Sequence, residues 1–483
     1  MADRFTEHRR RLAEIVGPEG FAIIPAATET VRNHDVHHFF RQDTAFWYLT
    51  GFPEPDAVAV IAPGHDDGDF ALFVRPKDPA QEVWTGIRAG VEGAKERYGA
   101  DVAYELGELD VVLERYLPGR EVIWYSVGNR RFDEKVSALV RRSRALRERH
   151  GVTVPSTVRD LSAPLGEMML HKSPEEAGLL RRAAELSVRG HAEAMRFAEP
   201  GVGEYAVQAA LEYYWRLEGS PRTGYPSIVA SGPNACILHY EENSRIIGDG
   251  DLILIDAGCE WEGYSADITR TFPVSGSFTG PQRAVYEVVL AAQRKGTEMS
   301  APGSSLRAIH DEVVRILTEG LVDLGLLPGP AEDRLAMHHY THFYMHGTSH
   351  WLGMDVHDRG AYRVDGKPRP LEGGMCFTVE PGLYIAADKD EIELTMLAFD
   401  IDERDERRLR LGTKTALALE EEEKEKANKL THRLPEEFLG IGVRIEDDIL
   451  LTDDGHHNLS AALPVDIDEV EALCAEAPTL PRS

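Results

Sequence analysis

The hydrophobic rhythm changes along the chain. Over the first ~160 residues short apolar runs, "FAIIPA", "FWYLTGF", "AVAVIAP", "FALFVRP" and "EVIWYSVG", read as strands. They alternate with longer segments of helical period such as "ELGELDVVLERYL" and "FDEKVSALVRRSRALRER". This predicts an α/β domain with a mixed sheet. A break rich in Pro, Ser and Thr follows, "HGVTVPSTVRDLSAPLGEMMLHKSPEE". Inside it Ser173, Pro174 and Glu176 supply an N-cap, a proline at the first helical position and a capping-box glutamate. They open a long helix running to about Phe197. "EYAVQAALEYYWRLEG" predicts another, ended by Gly219, with two more at about 281–299 and 304–324 and strands or hairpins at 226–272 and 374–385. The pattern therefore divides into a domain of residues 1–163 and one of residues 164–483. Within the second, the stretch at about 388–437 crowds charges of both signs in "DIDERDERRLR" and "EEEEKEKANK" and reads as a solvated helix face or a mobile insertion.

Length and composition narrow the class. At 483 residues the chain exceeds the usual single domain, and 42% apolar with 28% charged residues excludes a wholly disordered protein. A formal charge of −29 argues against nucleic acid as a partner, because phosphate binding needs a surplus of Lys and Arg on one face. No apolar run is long enough to predict a membrane span, and "MADRFTEHRRRLAEIVG" lacks the apolar core of a signal peptide. The four cysteines (Cys236, Cys259, Cys376, Cys474) form no CxxC pair and read as buried thiols of a reducing, cytoplasmic compartment.

The chemistry begins at "ILIDAGCEWEGYSADITRTF", Ile253 to Phe272. Asp256 ends an apolar run, Asp267 interrupts the next, and "GCEWEG" between them reads as the turn of an antiparallel pair. Acids beside a hairpin turn are commonplace. Here, however, Glu380 in "FTVEPGLYI", before a Pro-Gly turn, and Glu446 in "GVRIEDDILLT" also interrupt β-rich sequence, and "FYMHGTSHWLGMDVHD" adds His346, His350 and His357. Several carboxylates buried together must be protonated or hold a cation. A pair of divalent ions is the economical answer, and the oxygen-rich donor set suits Mn²⁺, Fe²⁺ or Co²⁺, allows Zn²⁺ and excludes a thiolate zinc site. The HxxxH spacing of His346 and His350 is not a helical zincin motif, since Gly347 stands where the catalytic Glu would be. In the run "MHHYTHFYMH" (His338, His339, His342, His346) a satisfied structural role is the better reading for any one member.

Taken together these segments resemble the pita-bread metallopeptidases and, within them, the Xaa-Pro aminopeptidase (aminopeptidase P) group, over nearly the whole chain outside the charged stretch. The resemblance implies an α/β N-terminal domain followed by an α+β pita-bread catalytic domain. It implies that Asp256, Asp267, His350, Glu380 and Glu446 hold two divalent metal ions per subunit, with Asp267 and Glu446 bridging and Mn²⁺ the expected ion. Glu380 would shuttle the proton, His346 and His357 would assist catalysis, and His239 and Arg444 would face the substrate. Trp84 in "EVWTGIRAG" would reach toward a neighbouring subunit's pocket, or else be a core residue.

The implied reaction is metal-dependent hydrolysis of the bond between an N-terminal residue and a following proline, by a hydroxide bridging the ions. The expected partners are Xaa-Pro-Yaa peptides and further copies of the chain in a homodimer or homotetramer. A prolidase restricted to Xaa-Pro dipeptides is the alternative, and a non-catalytic peptide- or protein-binding member of the fold the remote one. Methionine aminopeptidases lack such an N-terminal domain, and metal-free creatinase-like enzymes lack the ligand set. In the family the link between "EPGLYIA" and "GIGVRIEDD" is much shorter, so the stretch at 388–437 is an insertion expected near the mouth of the site.

Overall fold

A computed structural model of the chain describes residues 3–481. They fall into two compact units, one of residues up to Met169 with Arg359–Ala361, the other of Leu170–Asp358 and Tyr362 onward. The division falls inside the Pro/Ser/Thr-rich break but past the expected boundary at residue 163, because the helix Ser162–Leu170 stays almost wholly with the first unit.

The first unit is built on a six-stranded sheet. Gly20–Pro25 and Val58–Ile61 pair antiparallel, as do Val58–Ile61 and Phe70–Val74, while Phe70–Val74 with Val102–Glu105 and Gly20–Pro25 with Val122–Trp124 are parallel. The sheet is thus mixed. One run departs from the sequence reading, for "FWYLTGF" is not a strand but part of the helix Thr44–Thr50. Its aromatic content favours a strand, but its ends decide otherwise. The Asp43 side chain accepts from Phe46 N at the N-cap, and Gly51, at φ 59°, closes the helix by donating to the Trp47 carbonyl.

The second unit packs helices against both faces of a central antiparallel sheet. The strand Leu252–Asp256 lies between Ile228–Ser231 and Thr269–Pro273. Its side chains alternate. Leu252 and Leu254 join the core beneath the helices Gly280–Glu298 and Leu306–Asp323, whereas Ile253 and Ile255 join the core beneath Pro174–Phe197 and Glu204–Leu217. A strand buried on both faces leaves its end as the place where polar groups can open to a cavity.

Between Asp256 and Asp267 the chain does not turn at "GCEWEG" as a whole. Cys259–Trp261 and Tyr264–Ser265 are themselves paired strands, and the turn is confined to Glu262 (φ 47°) and Gly263 (φ 90°). Gly258 is required there, since a Cβ would lie 1.8 Å from the Ala266 carbonyl oxygen. Nor is Pro381-Gly382 a turn. Cys376–Val379 pairs with Asp447–Leu451, and Gly382–Tyr384 pairs with Gly442–Arg444, so the chain runs on across a kink between two ladder segments.

The charged stretch folds into a ribbon, Glu391–Thr395 against Lys429–Arg433, tipped by two helices, Ile401–Leu411 and Thr413–Lys426.

Candidate metal centre

One row across the strands carries much of the site. Asp256 pairs with Thr269, Thr269 bridges to Glu446, and the register from Val379 opposite Asp447 to Gly382 opposite Arg444 sets Glu380 opposite Glu446. The segment before Trp351 lies along the other edge of this ribbon. Thr378 N donates to the His350 carbonyl at 3.1 Å and Glu380 N to the Thr348 carbonyl at 2.9 Å, which brings the imidazole beside the glutamate. Asp267, two residues before Thr269, is held by its backbone N–H on the buried Asp448 carboxylate at 3.2 Å.

The acids of this row and His350 line one cavity of about 660 Å³. It gathers Asp256, Asp267, His350, Glu380 and Glu446, and also His239, His346, His357 and Arg444. Trp84 is elsewhere, in the first unit on the helix Pro79–Thr85, and at 83% exposed it is not the core residue that was its alternative reading. The helical zincin geometry is absent, for His346 and His350 lie outside any helix.

The electrostatics are those of a site built around a cation. Burial pushes Glu380 up to about 7 against the pull of His350 and Arg444, with Asp267 and Asp256 adding to the rise. Burial, then Asp267 and Glu380, hold Glu446 well above the usual carboxylate range, and burial raises Asp256 despite Arg444 beside it. Tyr225 Oη lies 2.5 Å from a carboxylate oxygen of each of Asp256 and Asp267. A phenol has one hydrogen and so serves one of them only.

The histidines are oriented by carbonyls, which only accept. His350 Nδ1 lies 3.2 Å from the Trp351 oxygen and must donate to it, so in the neutral ring Nε2 presents its lone pair 3.3 Å from Asp267 and 3.6 Å from Glu380. That is the arrangement of a metal-ligating imidazole. With protein groups alone, burial disfavours the cation, but the hydrogen bond to Asp267 and the fields of Asp267 and Glu380 outweigh it, lifting His350 to about 9. One atom from each of Asp267, His350 and Glu446 falls within a common 4.8 Å, a set that can hold a metal ion.

His346 is engaged at both nitrogens. Nδ1 donates to the Gly347 carbonyl at 2.8 Å, leaving Nε2 to accept from Tyr384 Oη at 2.8 Å, and Arg444 donates in turn to Tyr384 at 2.9 Å. Burial, reinforced by Arg444, holds its pKa down at about 3, so the ring is neutral. The same Nδ1 lies 3.4 Å from a carboxylate oxygen of Glu380. His357 packs edge-on to His350 at 4.4 Å between centroids, and His239 is an exposed member of the lining.

Sequence reasoning missed three hydroxyls. Thr269 donates to Glu446 at 2.7 Å and accepts from Arg444, Tyr225 spans the two aspartates, and Tyr384 links Arg444 to His346. Nothing in their spacing separates them from ordinary β-formers. The two acids after Glu446 are now distinguished from it. Asp447 pairs with the buried Arg270 at 2.7 Å and accepts from Ser460 and Gln293, and Asp448 supports Asp267.

Residues 178–453 match metallopeptidase family M24, and residues 5–124 match the aminopeptidase P N-terminal domain. The chain is 39% identical to the Xaa-Pro aminopeptidase of Escherichia coli K12 over 98% of both proteins. It superposes on the aminopeptidase PepP of Pseudomonas aeruginosa with a TM-score of 0.86 at 42% identity, covering 98% of this chain and 97% of that one. Aminopeptidase P from E. coli with the inhibitor Pro-Leu gives 0.85 at 38% identity, with the same coverage.

Proposed function

The chain belongs to metallopeptidase family M24, and on that footing we propose that it removes the N-terminal residue from peptides whose second residue is proline. The single observation that carries the reading is the convergence of four carboxylates and one imidazole on one cavity, in a chain alike over 98% of its length to a Xaa-Pro aminopeptidase.

Asp256, Asp267, His350, Glu380 and Glu446 would hold two divalent ions, Mn²⁺ by the hardness of the donors, with Asp267 and Glu446 between them. When bound, such ions bring the pKa of a water toward neutrality and polarise the scissile carbonyl. Glu380, which lines the cavity beside His350, would take the proton of the attacking water and return it to the departing proline nitrogen. His357 and His239, which also line the cavity, would hydrogen-bond the substrate backbone and flank the prolyl ring. His346 serves by position, its Nε2 fixed by Tyr384 so that Arg444 stays against Asp256.

No helix among the described residues is long and apolar enough to cross a membrane, and all four cysteines are free, which supports a reducing, cytoplasmic setting. Val83, Trp84 and Ile87 are each more than 80% exposed, and a second copy of the chain in a homodimer or homotetramer would cover them.

The test is to strip the protein with chelator, restore Mn²⁺ and assay a Xaa-Pro dipeptide against a Xaa-Pro-Yaa tripeptide. Metal-dependent cleavage favouring the tripeptide is expected. Dipeptide-only cleavage would make the protein a prolidase, and no cleavage of either would overturn the peptidase reading.

A further inference from the structure

A second cavity adjoins the first. It measures about 540 Å³, within the range of ligand pockets, and His346 lines both. One wall is the histidine-rich segment, including His342 and Met345, and the other is the tip of the charged insertion, including Leu397, Phe399 and Ile401.

The histidine run explains why this wall is firm. His339 Nε2 donates to the Thr395 carbonyl at 2.9 Å and His338 Nε2 to the Phe399 carbonyl at 3.2 Å, with the His338 ring stacked on Phe399 at 4.2 Å. His432 reaches the Gly325 carbonyl at 2.9 Å, and Asp402 meets Arg363 at 3.3 Å and Arg307 at 3.6 Å. The insertion is thus fastened to the body of its unit at several points. A preformed wall costs little ordering on binding.

We propose that this chamber is an extended subsite for the residues beyond Yaa in a substrate that begins Xaa-Pro-Yaa, so that the insertion sets a preference for substrates longer than tripeptides. The inference rests on the function proposed above. An aminopeptidase accommodates one residue before the scissile bond, so a cavity that shares the His346 wall with its site is suited to the chain beyond that bond. The lining suits a peptide segment. Leu397, Phe399, Ile401 and the half-exposed Met345 offer apolar contact, while His342 and Glu403 offer polar partners for backbone and side chain.

The experiment compares kcat and KM of the full-length, Mn²⁺-loaded protein on a Xaa-Pro-Yaa tripeptide and on the same peptide extended to about six residues. Extension is expected to lower KM by about tenfold, the effect of filling a pocket with a side chain or two. Leu397→Trp, which narrows the chamber at its apolar wall, brings the hexapeptide to within about twofold of the tripeptide and leaves tripeptide kcat/KM unchanged. A second variant, residues 397–427 replaced by Asn-Gly to close the ribbon, should lose the same gain. Equal KM for the two lengths in the parent protein, or a gain that survives both variants, overturns the subsite. So does a gain that follows the size of the N-terminal residue instead of peptide length. Failure to cleave even the tripeptide would instead strike the proposed function, so the two failures are told apart.

Discussion

Glu380 and Glu446 stand opposite one another in an antiparallel register that carries through the kink, with Val379 facing Asp447 on one side and Gly382 facing Arg444 on the other. Neither residue belongs to a regular strand, yet the ladders flanking them fix both. Their roles should separate on mutation. Glu380→Ala is expected to fold and to lose about 10²–10⁴-fold in kcat. Glu446→Ala, which removes a ligand expected to serve both ions, is expected to lose more bound metal than Glu380→Ala. Metal content by mass spectrometry alongside steady-state kinetics checks both, and full activity in either variant would contradict the assignment.

Thr269 holds Glu446 from the middle of the row, donating at 2.7 Å while Arg444 donates to it. Groups that orient a ligand typically contribute 10–100-fold in metal affinity, so Thr269→Val should weaken Mn²⁺ binding by about that factor. Thr269→Ser should restore it. Titration of the stripped protein with Mn²⁺ gives the answer, and an unchanged affinity in Thr269→Val would remove Thr269 from the site.

Gly353 cannot be replaced quietly. A Cβ there would lie 1.9 Å from Asp358 Oδ2 and 3.0 Å from Lys172 Nζ, and these two groups form a pair at 2.9 Å with both side chains only 1% exposed. Displacing one buried charge from the other costs about 3–5 kcal/mol. Urea unfolding of Gly353→Ala should show a loss of that order. The loop carrying His350 and His357 should loosen with it, because the Gly353 carbonyl also anchors Ser265 N at 2.9 Å. A loss below about 1 kcal/mol would show that Asp358 can move aside freely.

A pH dependence should come from His191. It is wholly buried, donating through Nε2 to the Ala257 carbonyl at 2.8 Å, and burial lowers its pKa from 6.5 to about 4. Between those values the unfolded chain binds the extra proton and the folded one does not. Stability contributed by the neutral ring is therefore present above 6.5 and lost as pH falls toward 4. Between about pH 7 and pH 5 the loss from this group is about 2 kcal/mol. His191→Gln keeps a donor and removes the titration, so its urea midpoint should fall less over that interval. Parallel curves for the two proteins would refute the assignment.

The acids of the site are legible in sequence because each breaks an apolar run, as Asp256 does at the end of "LILID" and Glu380 after "FTV". The hydroxyls of Tyr225 and Thr269 are not, since Tyr and Thr are also what a plain strand prefers. "FWYLTGF" shows the same limit from the other side. Its composition favours a strand, whereas Asp43 and Gly51 at its ends select a helix. Local hydrogen bonds outweigh a preference that is mostly about packing. In the run "MHHYTHFYMH" the structural reading fits His338 and His339, but their partners are not legible in sequence, for a different reason. The carbonyls that satisfy His338 and His339 belong to Phe399 and Thr395, far along the chain inside the insertion, so no window of sequence contains both partners.

The transverse row from Asp256 through Thr269 to Glu446 and Glu380 has a bearing on quality control of the folded chain. Adjacent strands stand about 4.8 Å apart, and a slip of one residue turns a side chain to the other face of its sheet. A slip in the strand Leu252–Asp256 would exchange Asp256 for a neighbour and drive its carboxylate among the helices packed above or below. Compact but misregistered chains would bury much the same apolar surface, yet would assemble an incomplete set of donors. Cation capture therefore acts as a checksum on strand pairing, separating correctly threaded molecules from near misses that hydrophobic burial alone would tolerate.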